Sequence, residues 1–394
     1  MLAPVNYTHL SPQRIVFGWG RRREVGSLAS SLGRRALVVF GSRTLVERGV
    51  VDELARSLTA SGVESELVAT IRQEPEVADV DAAVARVRAL PLREGDFVLG
   101  LGGGSAIDLA KAVAALATND HGDSVVDFLE GVGRGLTIDR APLAMIAMPT
   151  TAGTGSEATK NAVISSYDPK FKKSLRSDAM VPRIVLADPE LTTTCPRDVT
   201  VHCGMDAITQ LVESYLSRRA QPIPRAIALQ SLPAAVEALP RLLDDPTSRP
   251  AREAMAHAAL MSGMALANSG LGMAHGVAAA LGVHARVPHG LACSVMLPVA
   301  LRTNRNVCQA QYAELERAVD PRGRASDAAA AADAFVARIA ALCERVGVAR
   351  SLSALGVSPE QLDDLVCGSR GNSMDGNPRD VSDAELRGVL EAML

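Results

Sequence analysis

Asp96-Phe97-Val98-Leu99-Gly100-Leu101-Gly102-Gly103-Gly104-Ser105-Ala106-Ile107-Asp108-Leu109-Ala110-Lys111 reads as a strand, a glycine loop and a helix in direct succession. The apolar run Phe97–Gly100 shows no polar alternation, which suits a strand buried on both faces of a parallel sheet. Consecutive glycines let the backbone approach a phosphate with no Cβ in the way. The helix behind them offers free N–H groups and the positive end of its dipole, with Ser105 where an N-cap would stand. Glycines also make tight strand-to-helix turns in α/β units that bind nothing. The loop is not G-x-G-x-x-G and follows the third strand candidate, so it departs from the ordinary Rossmann fingerprint.

Four further apolar runs surround it: Arg14–Phe17, Ala36–Phe40, Ala144–Met148 and Arg183–Ala187. Helical stretches separate these runs as far as Pro196, and there the strand signals stop. Segments such as Ala251–Ala267 and Ala328–Val346 then recur with helical spacing, and the alanine run at 328–332 favours helix by propensity. Asp244–Pro250 and Asp320–Ser326 read as polar connections. The chain therefore reads as an α/β dinucleotide-binding domain with a Rossmann-like parallel sheet over 1–195, followed by an all-helical domain over 196–394.

A second small-residue loop, Pro149-Thr150-Thr151-Ala152-Gly153-Thr154-Gly155-Ser156-Glu157, follows the fourth candidate strand. Its hydroxyls suit phosphate, ribose or carboxamide, and a plain surface turn would look the same. Two such loops at the carboxyl ends of strands strengthen the ligand reading. In the second half, Asp206 and Gln210 stand four apart on one helical face. His275 and His289 follow in Gly270-Leu271-Gly272-Met273-Ala274-His275 and Pro288-His289-Gly290. A carboxylate and two imidazoles suit a divalent transition metal, although a lone histidine in an apolar stretch is more often a core or capping residue.

Taken in order, these motifs resemble the iron-containing (group III) alcohol dehydrogenase family. The Gly-Gly-Gly-Ser loop is similar to that family's pyrophosphate loop, and Pro149–Glu157 to its second cofactor loop. Gly-Leu-Gly-x-x-His, with a Pro-His-Gly histidine fourteen residues on, resembles its metal signature, and Ala187–Leu191 and Gly376-Asn377-Pro378 also fit. The resemblance implies a dehydroquinate synthase-like fold with a metal between the two domains. It places Asp206, Gln210, His275 and His289 as ligands of Fe²⁺ or Zn²⁺, with Asp206, His275 and His289 catalytic. It assigns the cofactor to Gly41, Gly103, Gly104, Ser105, Thr150, Thr151, Thr154, Thr159, Asn161 and Lys172. Gln210 departs from the family's usual histidine and is a neutral, weaker donor. Ala279 stands where a further histidine is usual, and His284 is the nearest substitute in sequence. The aldehyde pocket is expected near Asn268 and the loop of the 150s.

After the second candidate strand this chain reads Gly41-Ser42-Arg43, where NAD-preferring members carry an acid. With no carboxylate to bind the ribose 2′-hydroxyl, and an arginine that attracts a 2′-phosphate, NADP is favoured over NAD. Gly41→Asp is then the expected switch toward NADH. The expected activity is hydride transfer between NAD(P)H and a small aldehyde or primary alcohol, in the direction of aldehyde reduction. The alternatives are a hydroxyacid–oxoacid transhydrogenase, a lyase-type synthase on the same fold, and a binding protein with a decayed metal site.

Composition narrows the partners. The 394 residues carry 41 basic and 44 acidic groups, and a net charge of −3 gives no reason to expect nucleic acid or an anionic membrane. The six cysteines, at 195, 203, 293, 308, 343 and 367, form no Cys-x-x-Cys pair and read as thiols in a reducing compartment. Met1–Leu10 lacks a basic region followed by an apolar one, and no apolar run reaches the ~18 residues of a membrane span. A cytoplasmic homodimer acting on a small molecule is the expectation.

Overall fold

In the computed structural model, residues 6–41, 43–323 and 325–394 are described; Ser42 of the Gly41–Arg43 segment, Arg324 and the first five residues lie outside them. Among the described residues the strands are β1 (Arg14–Phe17), β2 (Arg35–Gly41), β3 (Glu64–Thr70), β4 (Asp96–Gly102), β5 (Ala144–Pro149), β6 (Asn161–Tyr167), β7 (Lys170–Arg176) and β8 (Ile184–Ala187). Six of them form one parallel sheet in the order β1-β8-β5-β4-β2-β3. The helices of this half are α1 (Val25–Ser30), α2 (Arg43–Glu47), α3 (Val50–Ala60), α4 (Val77–Arg88) and α5 (Gly104–Leu116).

Strand β4 is buried at all seven positions, because helices cover both faces. Leu37, Val39 and Val98 pack against α4 and α5, whereas Phe97, Leu99 and Leu101 pack against α1 and α3. Double burial is what the unbroken apolar runs encode. The glycine loop nevertheless follows the fourth strand in chain order, not the third. Edge strand β3, Glu64-Ser65-Glu66-Leu67-Val68-Ala69-Thr70, buries only Val68 and lacks the apolar run that marks the others. The antiparallel hairpin β6–β7 was likewise hidden by its polar and charged residues.

The sheet has one reversal of direction. From β2 the chain moves out to β3, then returns to β4 on the opposite side of β2 and continues to β5. Ligands of open α/β sheets bind at such a switch point, beyond the carboxyl ends of the strands.

From Arg197 onward the chain is helical: α6 (Arg197–Leu216), α7 (Pro222–Asp244), α8 (Arg249–Ser269), α9 (Met273–His284), α10 (His289–Asn304), α11 (Gln309–Val319), α12 (Ala328–Val346), α13 (Leu362–Gly368) and α14 (Asp383–Glu391). Their apolar faces form one continuous core. Helix α12 covers the whole alanine-rich segment, and the Asp327 carboxylate caps it by accepting from the Ala330 amide at 2.8 Å. Among the described residues no single helix is long and apolar enough to cross a membrane. The pair α8 and α9 approaches that composition only across a 102° bend.

Candidate metal centre and cofactor loops

Gly41 and Gly102 end β2 and β4 at the switch point and are register partners. A Cβ on Gly41 would lie 2.7 Å from the Ala106 Cβ, so glycine here lets α5 close onto the sheet. Helix α5 starts two residues earlier than its sequence suggests. Gly103, in an extended conformation, is the N-cap, its carbonyl accepting from the Ala106 and Ile107 amides. Ser105 therefore sits inside the first turn, and no side chain caps the helix. That leaves the Gly104 and Ser105 N–H groups at the open helix end, as an anion site requires.

The second loop is not a surface turn. It packs between the two halves of the molecule. Thr151 and Thr154 lie over Gly103 and Gly104, where a Cβ would approach their side chains to 3.3 and 2.6 Å. On its other side a Cβ at Gly153 would meet Cys203 of α6 at 2.7 Å, and Gly155 lies against Gly263 of α8. Lys111 and Asp108, from the third and second turns of α5, hold the loop in place. The fully buried Lys111 Nζ donates to the Ser156 carbonyl at 2.9 Å, to Thr159 Oγ1 at 2.8 Å and to the Asn161 carbonyl. Asp108 accepts from the Ser156 hydroxyl and from the Val163 amide. Thr159 thus commits its hydroxyl to this internal network. Thr150 is buried at the end of β5, its amide bonded to the Gly102 carbonyl. Lys172 Nζ pairs with Glu74 at 2.6 Å, and Glu74 acts electrostatically on His289.

The metal-type side chains converge from three helices. Asp206 of α6, His275 of α9, and His289 and Cys293 of α10 bring one ligand atom each to within 4.8 Å of one another. His275 Nε2 lies 3.3 Å and His289 Nε2 3.9 Å from Asp206 Oδ1. Cys293 Sγ lies 3.7 Å from His289 Nε2. Behind this cluster Glu213 Oε2 sits 2.7 Å from His275 Nδ1, and the carboxylate also accepts from the backbone amides of Gly272, Ala274 and His275. It therefore fixes the ring and satisfies the start of α9 together.

Burial opposes charge throughout the cluster. On His275, Cys293, Asp206 and Glu213 outweigh it and raise the imidazole well above its ordinary range. Asp206 is held below its ordinary value, burial notwithstanding, by the His275 hydrogen bond and the nearby imidazoles. Burial, with Lys172 beside it, pushes His289 down to about 4, so it stays neutral with a lone pair to donate. The carboxylates that favour a proton on His275 equally favour a cation beside it. The donor set and its orienting carboxylate fit a divalent metal.

Glu213 and Cys293 escaped the sequence reading, yet their spacing is visible there. Asp206, Gln210 and Glu213 run i, i+4, i+7 along one face of α6, and Cys293 stands four after His289. Gln210 is buried one turn beyond Asp206, and its Oε1 lies 2.6 Å from the Ser262 hydroxyl. His284 is half a revolution from His275 on α9. It packs against Gly368 of α13, 3.8 Å from Asp364, and away from the cluster. The Asn268 side-chain amide bonds both the amide and the carbonyl of Leu10. Arg43 is exposed and paired with Glu47 at 2.8 Å.

The family model "Iron-containing alcohol dehydrogenase" matches residues 12–189, and "Fe-containing alcohol dehydrogenase family, C-terminal" matches 200–394. The chain is 33% identical over 347 residues to "Probable alcohol dehydrogenase EutG" of Escherichia coli, covering 88% of this chain and 84% of that one. It is 30% identical to the sulfoacetaldehyde reductase of Bilophila wadsworthia over 98% of both chains. The solved alcohol dehydrogenase from Oenococcus oeni superposes with a TM-score of 0.91 at 27% identity, over 99% of this chain and all of that one.

Proposed function

The chain belongs to the iron-containing alcohol dehydrogenase family, and from that premise we propose that it transfers a hydride between NAD(P)H and a small aldehyde or primary alcohol, working toward aldehyde reduction. One observation carries the reading: the loop that lies over the glycine cradle also packs, through Gly153 and Cys203, on the helix that bears Asp206. When bound, nicotinamide would supply a hydride and a divalent Fe²⁺ or Zn²⁺ a positive centre for the carbonyl oxygen. The start of α5, from Gly103 to Ser105, would hold the pyrophosphate. Thr150, Thr151 and Thr154 would wall the cofactor on the facing loop. Asp206, His275 and His289 would hold the metal, with Gln210 or Cys293 available beside them. Glu213 keeps His275 turned toward that position.

Direction follows from a missing group. Ala279, one turn beyond His275 and only half-buried, offers no proton. Alcohol oxidation then lacks a tuned base and speeds up steadily as pH rises, while reduction draws its proton from water. NADPH is the preferred reductant, because the end of β2 carries no acid and Arg43 follows it. The test is a panel of small aldehydes with NADH and NADPH, run on metal-loaded protein in both directions across pH. Turnover of none of them overturns the proposal. So does a hydroxy acid oxidised only in the presence of an oxo acid, without free nicotinamide, which is the transhydrogenase outcome.

A further inference from the structure

Cys293 has no part in the usual Asp-and-three-His donor set, yet its sulfur belongs to the cluster. It is fully buried, one turn along α10 from His289 and 3.7 Å from that ring's Nε2. With bonds of about 2.0–2.3 Å and near-tetrahedral angles, oxygen, nitrogen and sulfur donors of a four-ligand centre that expands to five-coordinate for substrate stand roughly 3.3–3.6 Å apart. The observed separations of 3.3 Å (His275 to Asp206), 3.9 Å (His289 to Asp206) and 3.7 Å (Cys293 to His289) come within a few tenths of an ångström of that. Gln210, at the position of the missing imidazole, is engaged with Ser262 of α8. A neutral amide is in any case the poorer donor.

We propose that the Cys293 thiolate is the fourth protein ligand of the centre, replacing the imidazole lost at Gln210 and tuning the site toward Zn²⁺ over Fe²⁺. The inference rests on the functional reading only in placing a metal among α6, α9 and α10. On binding, a sulfur–metal bond forms as the thiol's S–H bond breaks, and the proton leaves to solvent. Thiolate is a soft donor, which favours Zn²⁺ over cations that prefer oxygen and nitrogen.

The experiment needs no substrate and no nicotinamide. Chelator-stripped full-length protein is titrated with Co²⁺ under anaerobic conditions and followed by near-ultraviolet absorption. A sulfur-to-cobalt charge-transfer band saturating at one equivalent is expected. Cys293→Ser should abolish the band and weaken Zn²⁺ binding at least ten-fold, since loss of an orienting partner alone costs about that much. Gln210→Ala should keep the band. Gln210→His combined with Cys293→Ser should recover binding without it. Stoichiometric Co²⁺ with no charge-transfer band, or a band that survives Cys293→Ser, overturns the proposal. Should Cys293→Ser fail to fold, X-ray absorption of zinc-loaded wild type decides, one sulfur neighbour supporting the ligand and none overturning it. Failure to bind Co²⁺ or Zn²⁺ at all removes the metal reading itself. Bound metal without sulfur leaves that reading standing and removes only this inference.

Discussion

Single atoms settle how the centre is held. Glu213 touches no substrate in the proposed reaction, yet its carboxylate fixes His275 Nδ1. Glu213→Gln keeps the volume and removes the charge, so Zn²⁺ affinity should fall roughly 10- to 100-fold, read by competition with a chromophoric chelator. Unchanged affinity would mean that packing alone orients the ring. The proposed preference for NADPH also rests on one side chain. Gly41→Asp, the change the sequence recommends, is a poor test because its Cβ would strike Ala106. Arg43 is the cleaner probe. Its exposed pair with Glu47 is worth only about 0.5 kcal/mol and is easily released. Arg43→Ala should raise KM for NADPH several-fold and leave KM for NADH in place; equal changes in both would exclude Arg43 from the 2′ site.

Between elements, close backbone contact does what side chains cannot. The loop that follows β5 meets α8 where a Cβ on Gly263 would lie 2.1 Å from the Gly155 carbonyl oxygen. Gly263→Ala must push the loop off the helix and should cost about 1–3 kcal/mol, measured as a lowered urea midpoint. Cofactor binding should weaken with it, because Thr151 and Thr154 ride on the same loop. Stability unchanged with cofactor affinity intact would show that the contact is slack. The elements differ in how plainly the sequence announces them. β4 and β5 are doubly buried and read directly as apolar runs. β3 is largely polar and held by pairing with β2 and by α3 and α4, and the hairpin β6–β7 by its own pairing and by α5, so no local pattern marks them.

Across the whole molecule, burial of charge sets the response to pH. Burial pushes the Glu157 carboxyl up to about 7, with Lys111 opposing and Asp108 assisting. Its ordinary value, taken for the unfolded chain, is 4.5. Below pH 4.5 both states hold the proton and the group costs nothing. From 4.5 to 7 the unfolded chain releases it while the folded chain does not, so stability falls as pH rises, by about 3 kcal/mol in full. Glu157→Gln should remove that slope: its urea midpoint, compared with wild type, should gain steadily between pH 4.5 and 7. Parallel curves would exclude Glu157 as the titrating group. The homodimer expected from sequence is checked by light scattering of the full chain.

By itself the sequence determined the parallel sheet, the helical second half and the two loops at strand ends, because each is written in local periodicity and composition. It also supplied Asp206, His275 and His289 through motif resemblance, and the i+4 and i+7 spacings that later proved to hold Cys293 and Glu213. Only the tertiary structure decided which of those spacings mattered. A helix places several residues on one face, but which face meets which is set by packing among α6, α9 and α10. The same packing turned His284 toward α13, spent Asn268 on Leu10 and Thr159 on Lys111, and set a cysteine's sulfur among two imidazoles and a carboxylate.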